Sequence, residues 1–249
     1  MTSLIIDCDP GVDDAVALLT AFGSPALDLL AVTTVGGNVP VEKTARNACI
    51  LRQIAAREDV PVYRGAERPL VREPAGAGEF HGAEGLGDMA PFDPAKRCEP
   101  GGAVEAIVEQ VMARPAGTAS MAVLGPLTNL ALALRAEPRL AERLGPVAVM
   151  GGARAEGGNI TASAEFNIWA DPEAAAEVLA SACDVVLFGL DVTHQVRATE
   201  ARIAGVEALD TPSARAAASM MRFSQRIERE IVGLDAPPVH DLCPVAWML

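Results

Sequence analysis

Four carboxylates fall within eight residues near the N-terminus, in the run Asp7-Cys8-Asp9-Pro10-Gly11-Val12-Asp13-Asp14. The apolar stretch Ser3–Cys8 reads as a buried strand, and the apolar spacing of Asp13–Phe22 reads as a helix. Like charges this dense repel one another. A helix N-terminus offsets only ~0.3–1 kcal/mol per charge. A shared divalent cation would relieve the repulsion, and oxygen-only donors suit a hard ion such as Ca²⁺ or Mg²⁺. One Asp at a helix start is ordinarily a cap. Four of them at the end of a first strand point instead to a metal or catalytic site. Pro10-Gly11 supplies a tight turn that could aim Asp9 back over the helix start.

Other candidate groups lie far along the chain. The only histidines are His81, His194 and His240. His81 opens a glycine-rich segment, His81–Gly87, of the kind that closes over ligands. His240-Asp241 directly precedes the apolar run Leu242–Leu249. Neutral polar groups gather where strands should end: Gly36-Gly37-Asn38, Leu124 through Asn129, Met150-Gly151-Gly152, then Asn159, Glu165, Phe166 and Asn167. Singly these are turn chemistry. Together they form a set of amides and carboxylates suited to a polyhydroxylated ligand. No GxxxxGK[ST], HExxH or GxSxG pattern is present, and Gly85–Ala90 fits GxGxxA without a preceding strand.

The elements that must position these groups alternate. Strands are expected at Ser3–Cys8, Leu27–Val35, Val60–Tyr63, Ser120–Leu124, Val147–Met150 and Asp184–Phe188. Helices are expected at Asp13–Phe22, Val41–Arg57, Gly102–Ala113, Leu127–Arg135 and Pro172–Ser181, the last capped by Asp171 with proline in its first turn. A long helix, Thr211–Ile231, has a possible break near Phe223. Residues 64–100 read as a long loop, and the glycine-rich stretch 151–164 as irregular. This alternation predicts an α/β fold: an open, mostly parallel sheet with helices on both faces. No internal repeat or linker divides the 249 residues, so a single domain is expected. Ligands of such sheets bind beyond the carboxyl ends of the strands.

Charge narrows the partners. The formal net charge is −13, and the only lysines are Lys43 and Lys96. Nucleic acid and anionic membrane are therefore excluded as expected partners, because both demand a basic face. Five dispersed cysteines without a CxxC argue against a disulfide framework or zinc cluster and suit a reducing compartment. The start MTSLIIDCDPG has no basic leader segment, so a cytoplasmic location is expected. The uncharged stretch 116–134 carries Gly125, Pro126 and Asn129 and reads as strand, turn and helix, not as a membrane span.

DCDPGVDDAVALL, VGGN, HGAEGLG, LGPLTNLALAL, VMGGA, the Gly158-Asn159 and Glu165-Phe166-Asn167 pair of motifs, and His240-Asp241 resemble the nucleoside N-ribohydrolases of the inosine–uridine-preferring type. They occur in the family's order, from Leu4 to the last residues. The resemblance implies a Rossmann-like core, a tightly bound Ca²⁺, a ribonucleoside substrate, and a homodimer or homotetramer. It implies that Asp9, Asp14, Asp241 and the Leu124 carbonyl hold the calcium, whose shell the ribose hydroxyls and a water complete. Asp9 would take a proton from that water, and His240 would be the acid for the leaving base. Asp13, Asn38 and Asn167 would hold the ribose hydroxyls. Met150, Asn159 and Glu165 would wall the 5′-hydroxymethyl, and His81 would lie near the base. The implied reaction is hydrolysis of the N-glycosidic bond to ribose and free base, through an oxocarbenium-like transition state.

Two departures from the family pattern stand out. Members commonly place tyrosines before the His-Asp pair, whereas Arg222–Arg229 holds none and the sole tyrosine is Tyr63. Base preference is therefore open. Members also continue for several tens of residues past this point, so a missing C-terminal segment is expected. Two other readings compete. One is a haloacid-dehalogenase-like phosphatase built on Asp7-Cys8-Asp9, which would need a downstream lysine. The other is a metal- and ribose-binding relative without turnover.

Overall fold

The computed structural model describes residues 1–249. Six strands form one sheet: β1 (Thr2–Cys8), β2 (Leu27–Thr34), β3 (Val62–Arg64), β4 (Ala119–Val123), β5 (Leu144–Met150) and β6 (Val185–Phe188). Their order is β3-β2-β1-β4-β5-β6, and every neighbouring pair is parallel. This is the open α/β sheet expected from the alternation, in the strand order of Rossmann-type folds.

Twelve helices connect and cover the sheet: α1 (Val12–Gly23), α2 (Val41–Ile54), α3 (Gly78–His81), α4 (Ala103–Met112), α5 (Thr128–Ala136), α6 (Leu140–Arg143), α7 (Phe166–Ala170), α8 (Pro172–Ala180), α9 (Leu190–Thr193), α10 (Glu200–Glu207), α11 (Pro212–Ile231) and α12 (Leu242–Met248). Side chains alternate across a strand, so each central strand feeds two cores. Leu4, Ile6, Cys8, Ala122, Leu124 and Ala148 join α1, α2, α11 and α12 on one face. Ile5, Met121, Val123, Val147 and Val149 join α4, α5 and α8 on the other. Each large side chain buried this way contributes ~1.5–3 kcal/mol, so the middle strands are the firmest part of the molecule.

Several expectations change in detail. The long C-terminal helix has no break at Phe223: α11 runs unbroken over its 20 residues. Thr211 caps it by accepting the Ala214 N–H at 3.1 Å, and Ala214, Ala217, Ala218, Met221 and Phe223 all point inward. Phe223 is one more member of that inward stripe and does not interrupt it. The segment 64–100 is not wholly irregular, because α3 lies inside it and carries His81. The cysteines, dispersed in sequence, do not all stay apart, for Cys49 and Cys98 bring their Sγ atoms to 3.6 Å. Asp171 does cap α8, its Oδ1 accepting the Ala174 N–H at 3.0 Å. No helix is long and apolar enough to cross a membrane.

The chain leaves β1 towards β2 and β3, then returns to place β4 on the other side of β1. A crevice opens where the order reverses, at the carboxyl ends of β1 and β4. Asp7 through Asp9 end one strand there, and Leu124 follows the other.

Candidate active site

The floor of this crevice is a stack of aspartates. Asp7, the deepest, is fully buried at the end of β1. Its Oδ1 accepts hydrogen bonds from Thr33 Oγ1 on β2 at 2.6 Å and from Asn129 Nδ2 on α5 at 2.7 Å. Burial nevertheless pushes Asp7 up to about 7, against the pull of those two donors. Asp7 thus knits three elements together beneath the site.

Asp9 follows the strand, with 1% of its surface exposed. Its Oδ2 accepts the Asn38 backbone N–H at 2.7 Å, while its Oδ1 has no hydrogen-bond partner. Two glycines crowd it. A Cβ on Gly37 would collide with Oδ2, and one on Gly125 would sit 2.5 Å from Oδ1. The VGGN and LGP turns therefore need glycine because the Asp9 carboxylate fills the space of a side chain.

Asp14 is one turn into α1. It accepts the N–H groups of Asp9 at 3.1 Å and Gly11 at 2.9 Å, so it caps its own helix while facing the site. Asn38 ties the pair together, its Nδ2 donating to Asp14 Oδ2 at 3.1 Å and to the Asp9 carbonyl at 3.2 Å. Asp241 closes the group from the far end of the chain, 3% exposed. Burial, followed by mutual repulsion, holds Asp9 and Asp241 well above the usual carboxylate range and pushes Asp14 up to about 7.

Oxygens of Asp13, Asp14 and Asp241 converge to within 4.8 Å of one another, a group that could hold a metal ion. Asp13 Oδ1, like Asp9 Oδ1, is buried without a hydrogen-bond partner. A buried carboxylate oxygen left unpartnered is costly. Two such oxygens beside three converging carboxylates are the donor set of a hard cation. The residues present therefore fit a divalent ion. The converging trio includes Asp13, which the sequence reading assigned to the ribose. Asp9 lies beside it, with one carboxylate oxygen already engaged by Asn38. Leu124 is buried, and its carbonyl accepts from Asn167 Nδ2 at 2.6 Å.

Above the floor lies a cleft of about 350 Å³, within the range of small-molecule sites. All seven residues expected to contact a substrate line it: Asp13, Asn38, His81, Met150, Asn159, Glu165 and Asn167. His240 and Asp241 line it as well. Glu165 caps α7, its oxygens accepting from Asn167 N at 2.9 Å, Ile168 N at 3.2 Å and Gly152 N at 2.9 Å. Asn159 accepts the Phe166 N–H at 2.9 Å. These wall residues therefore hold the glycine-rich turn in shape, which their polarity alone did not reveal.

Each histidine of the rim is held at one nitrogen. His81 Nδ1 accepts the Val12 N–H at 3.2 Å and lies 3.7 Å from Asp13 Oδ1. His240 Nδ1 lies 2.7 Å from Thr193 Oγ1, and its ring packs 5.8 Å from that of His194. Burial pulls His240 down to about 4, so the ring is neutral at pH 7. It can donate an N–H hydrogen bond but carries no surplus proton. Thr193, His194, Phe80, Ile227 and Glu228 were not anticipated. Of these, Phe80, His194, Ile227 and Glu228 line the cleft. Thr193 and His194 lie in a stretch with no expected element, and the others gave no periodic signal distinguishing them from packing.

The inosine-uridine preferring nucleoside hydrolase family model matches residues 4–249. The chain is 42% identical over 247 residues to the inosine-uridine preferring nucleoside hydrolase of Crithidia fasciculata, covering 99% of this chain and 78% of that one. It is 40% identical over 247 residues to the pyrimidine-specific ribonucleoside hydrolase RihA of Photobacterium profundum, covering 99% of this chain and 79% of that one. Among solved structures, a plant nucleoside hydrolase superposes with a TM-score of 0.95 at 34% identity, over 99% of this chain and 78% of that one. A purine-preferring ribonucleoside hydrolase from Gardnerella vaginalis gives 0.93 at 32% identity, over 98% and 79%. The chain belongs to the inosine-uridine preferring nucleoside hydrolase family, and it is an enzyme of that hydrolase type.

Proposed function

We propose that this protein hydrolyses the N-glycosidic bond of ribonucleosides to ribose and free base, with Asp9 activating the attacking water. The observation that carries the reading is the buried, unpartnered Oδ1 of Asp9, beside the converging Asp13, Asp14 and Asp241. Asp14 and Asp241, with the Leu124 carbonyl and a share from Asp9 or Asp13, would hold Ca²⁺. When bound, the cation supplies charge to neutralise the crowded carboxylates and acidify a water.

Asp9 accepts a proton from water as the water oxygen bonds to the anomeric carbon. The electrons of the breaking C–N bond leave with the base, which takes up a proton from solvent while Asp9 returns its own. As that bond stretches, positive charge grows on the ribose ring, and a pocket lined with carboxylates favours it. Asn38, Asn167 and Asp13 orient the ribose hydroxyls, and the turn shaped by Glu165 and Asn159 encloses the 5′ end. His240 offers an N–H to the departing base, which needs a hydrogen-bond donor as its charge grows. A phosphatase reading lacks its lysine: Lys43 is engaged by Glu84 at 2.9 Å and Lys96 by Glu99 at 2.6 Å.

The test is a reducing-sugar assay over purine and pyrimidine nucleosides, with and without a chelator. Ribose release that a chelator abolishes and Ca²⁺ restores is expected. Calcium binding with no ribose from any nucleoside would overturn the enzymatic reading in favour of a binding protein. Phosphate release from a generic ester would favour the phosphatase. Light scattering tests the homodimer or homotetramer that the resemblance implies.

A further inference from the structure

We propose that Thr193 is a positioning residue that fixes His240 in its Nε2–H form and so presents a hydrogen-bond donor to the leaving base. The inference rests on the hydrolase reading of the cleft, but its first argument is hydrogen-bond accounting alone.

Thr193 ends the short helix α9 and is fully buried. A threonine hydroxyl has one hydrogen to give. In helices it often gives it to the carbonyl four residues back. Here that carbonyl, on Gly189, receives the backbone N–H groups of Val192 at 3.0 Å and Thr193 at 3.1 Å, and no hydroxyl bond. The hydroxyl's one partner is His240 Nδ1, at 2.7 Å.

Two arrangements are conceivable. If Nδ1 carried the ring hydrogen, it would donate to the threonine oxygen. The hydroxyl hydrogen would then be buried with no acceptor, an unmade bond of full desolvation cost. If Nδ1 is bare, the hydroxyl donates to it and both groups are satisfied. The single hydrogen of the neutral ring must then sit on Nε2. The His240 ring makes no other hydrogen bond to the protein, and the residue lines the cleft. Its Nε2–H is therefore available to a ligand there.

His81 obeys the same rule by another route. Its Nδ1 accepts the Val12 backbone N–H, so its neutral ring also carries hydrogen on Nε2. The two rim histidines thus turn the same kind of donor outward, one fixed by backbone and one by a hydroxyl. Only the second can be removed by a single substitution.

The experiment compares Thr193→Val, which keeps the shape and loses the hydroxyl, with Thr193→Ser, which keeps the hydroxyl. Substrates are inosine and 4-nitrophenyl riboside, whose leaving group departs without a donor. Thr193→Val should lower kcat for inosine by about 10- to 100-fold, the scale of one lost charge-stabilising hydrogen bond. KM should change little, 4-nitrophenyl riboside should be cleaved at nearly the wild-type rate, and Thr193→Ser should restore inosine turnover. The ¹⁵N spectrum of the wild-type imidazoles should show His240 protonated at Nε2, and that of Thr193→Val a mixture. Unchanged inosine turnover in a folded Thr193→Val, equal losses on both substrates, or wild-type protonation at Nδ1 would each overturn the proposal. If Thr193→Val does not fold, the serine variant and the wild-type spectrum still decide. If the wild type releases ribose from no nucleoside, the hydrolase reading fails, while the spectrum separately reports the tautomer.

Discussion

The floor and the rim of the cleft are built by opposite means. The floor grows from strand ends in the middle of the sheet, where Asp7, Asp9 and Asp14 are clamped by backbone N–H groups and by Thr33, Asn38 and Asn129. The rim comes from short helices, loops and the end of α11. There the rings of His81 and His240 are each held by a single hydrogen bond, and Ile227 and Glu228 line the cleft. The floor is rigid and electrostatically expensive. The rim is cheap to remodel. Relatives named for inosine-uridine, pyrimidine and purine preference sit on one fold, as expected if the floor carries the chemistry and the rim chooses the base.

The strongest way to break this division is at the floor. Asp9→Ala should cut turnover by about 10³-fold or more, on the scale of a lost general base combined with lost charge stabilisation. Asp14→Ala should do the same and also weaken calcium binding by calorimetry. It further removes a helix cap, at about 1 kcal/mol of stability. Normal turnover with intact calcium stoichiometry in either variant would show that the floor is not where the chemistry lies.

His240→Ala comes next, with a loss of about 10²-fold on inosine and little on 4-nitrophenyl riboside. Equal losses would remove the donor from the leaving-group side.

A third test concerns the cost of the floor. Burial pushes Asp7 and Asp14 up to about 7 in the fold, against about 3.9 for an ordinary aspartate. Their folded values are raised, so the stability linked to them is fully present below about 4 and is lost as pH rises through 7. The cation-free protein should therefore melt at a lower temperature at pH 8 than at pH 5. Ca²⁺ should raise Tm more at pH 8 than at pH 5. Equal shifts at both values would separate the cation from these carboxylates.

The smallest effect belongs to the rim. Ile227→Ala should alter the ratio of kcat/KM for purine and pyrimidine nucleosides by only a few-fold to about tenfold, the value of a few apolar contacts. Tm should stay nearly constant, since Ile227 is only half-buried. A collapse of activity on all substrates would place the chemistry partly on the rim and blur the comparison.

Much of the fold was legible because its causes are local. Apolar runs such as Leu4–Ile6 must be strands buried on both sides, and Asp171-Pro172 must open a helix. The short elements α7, α9 and α10 escaped notice. Their apolar residues are too few to show a period, and their packing comes from partners distant in sequence. The break expected at Phe223 failed for a related reason: an aromatic side chain interrupts a pattern on paper but simply fills the inward face of α11. In the site, the aspartates announced themselves by crowding, which is visible in one dimension. Glu165 lines the cleft, and its residue type alone does not reveal that it also caps α7. Only the fold brings its oxygens to three backbone N–H groups.

The sequence by itself determined a parallel α/β sheet, a concentration of negative charge at the end of its first strand, and the polar residues gathered at the ends of the others. Periodicity and charge density are properties of neighbours along a chain, so no fold was needed to see them. The tertiary structure decided that Asp241, from the far end of the chain, joins Asp13 and Asp14. It also decided that Asn38 clamps Asp9, and that a threonine with no signal of its own meets His240. Those are contacts between groups far apart in sequence. They exist only because the strand order reverses beside β1 and brings the loops of both halves over one crevice.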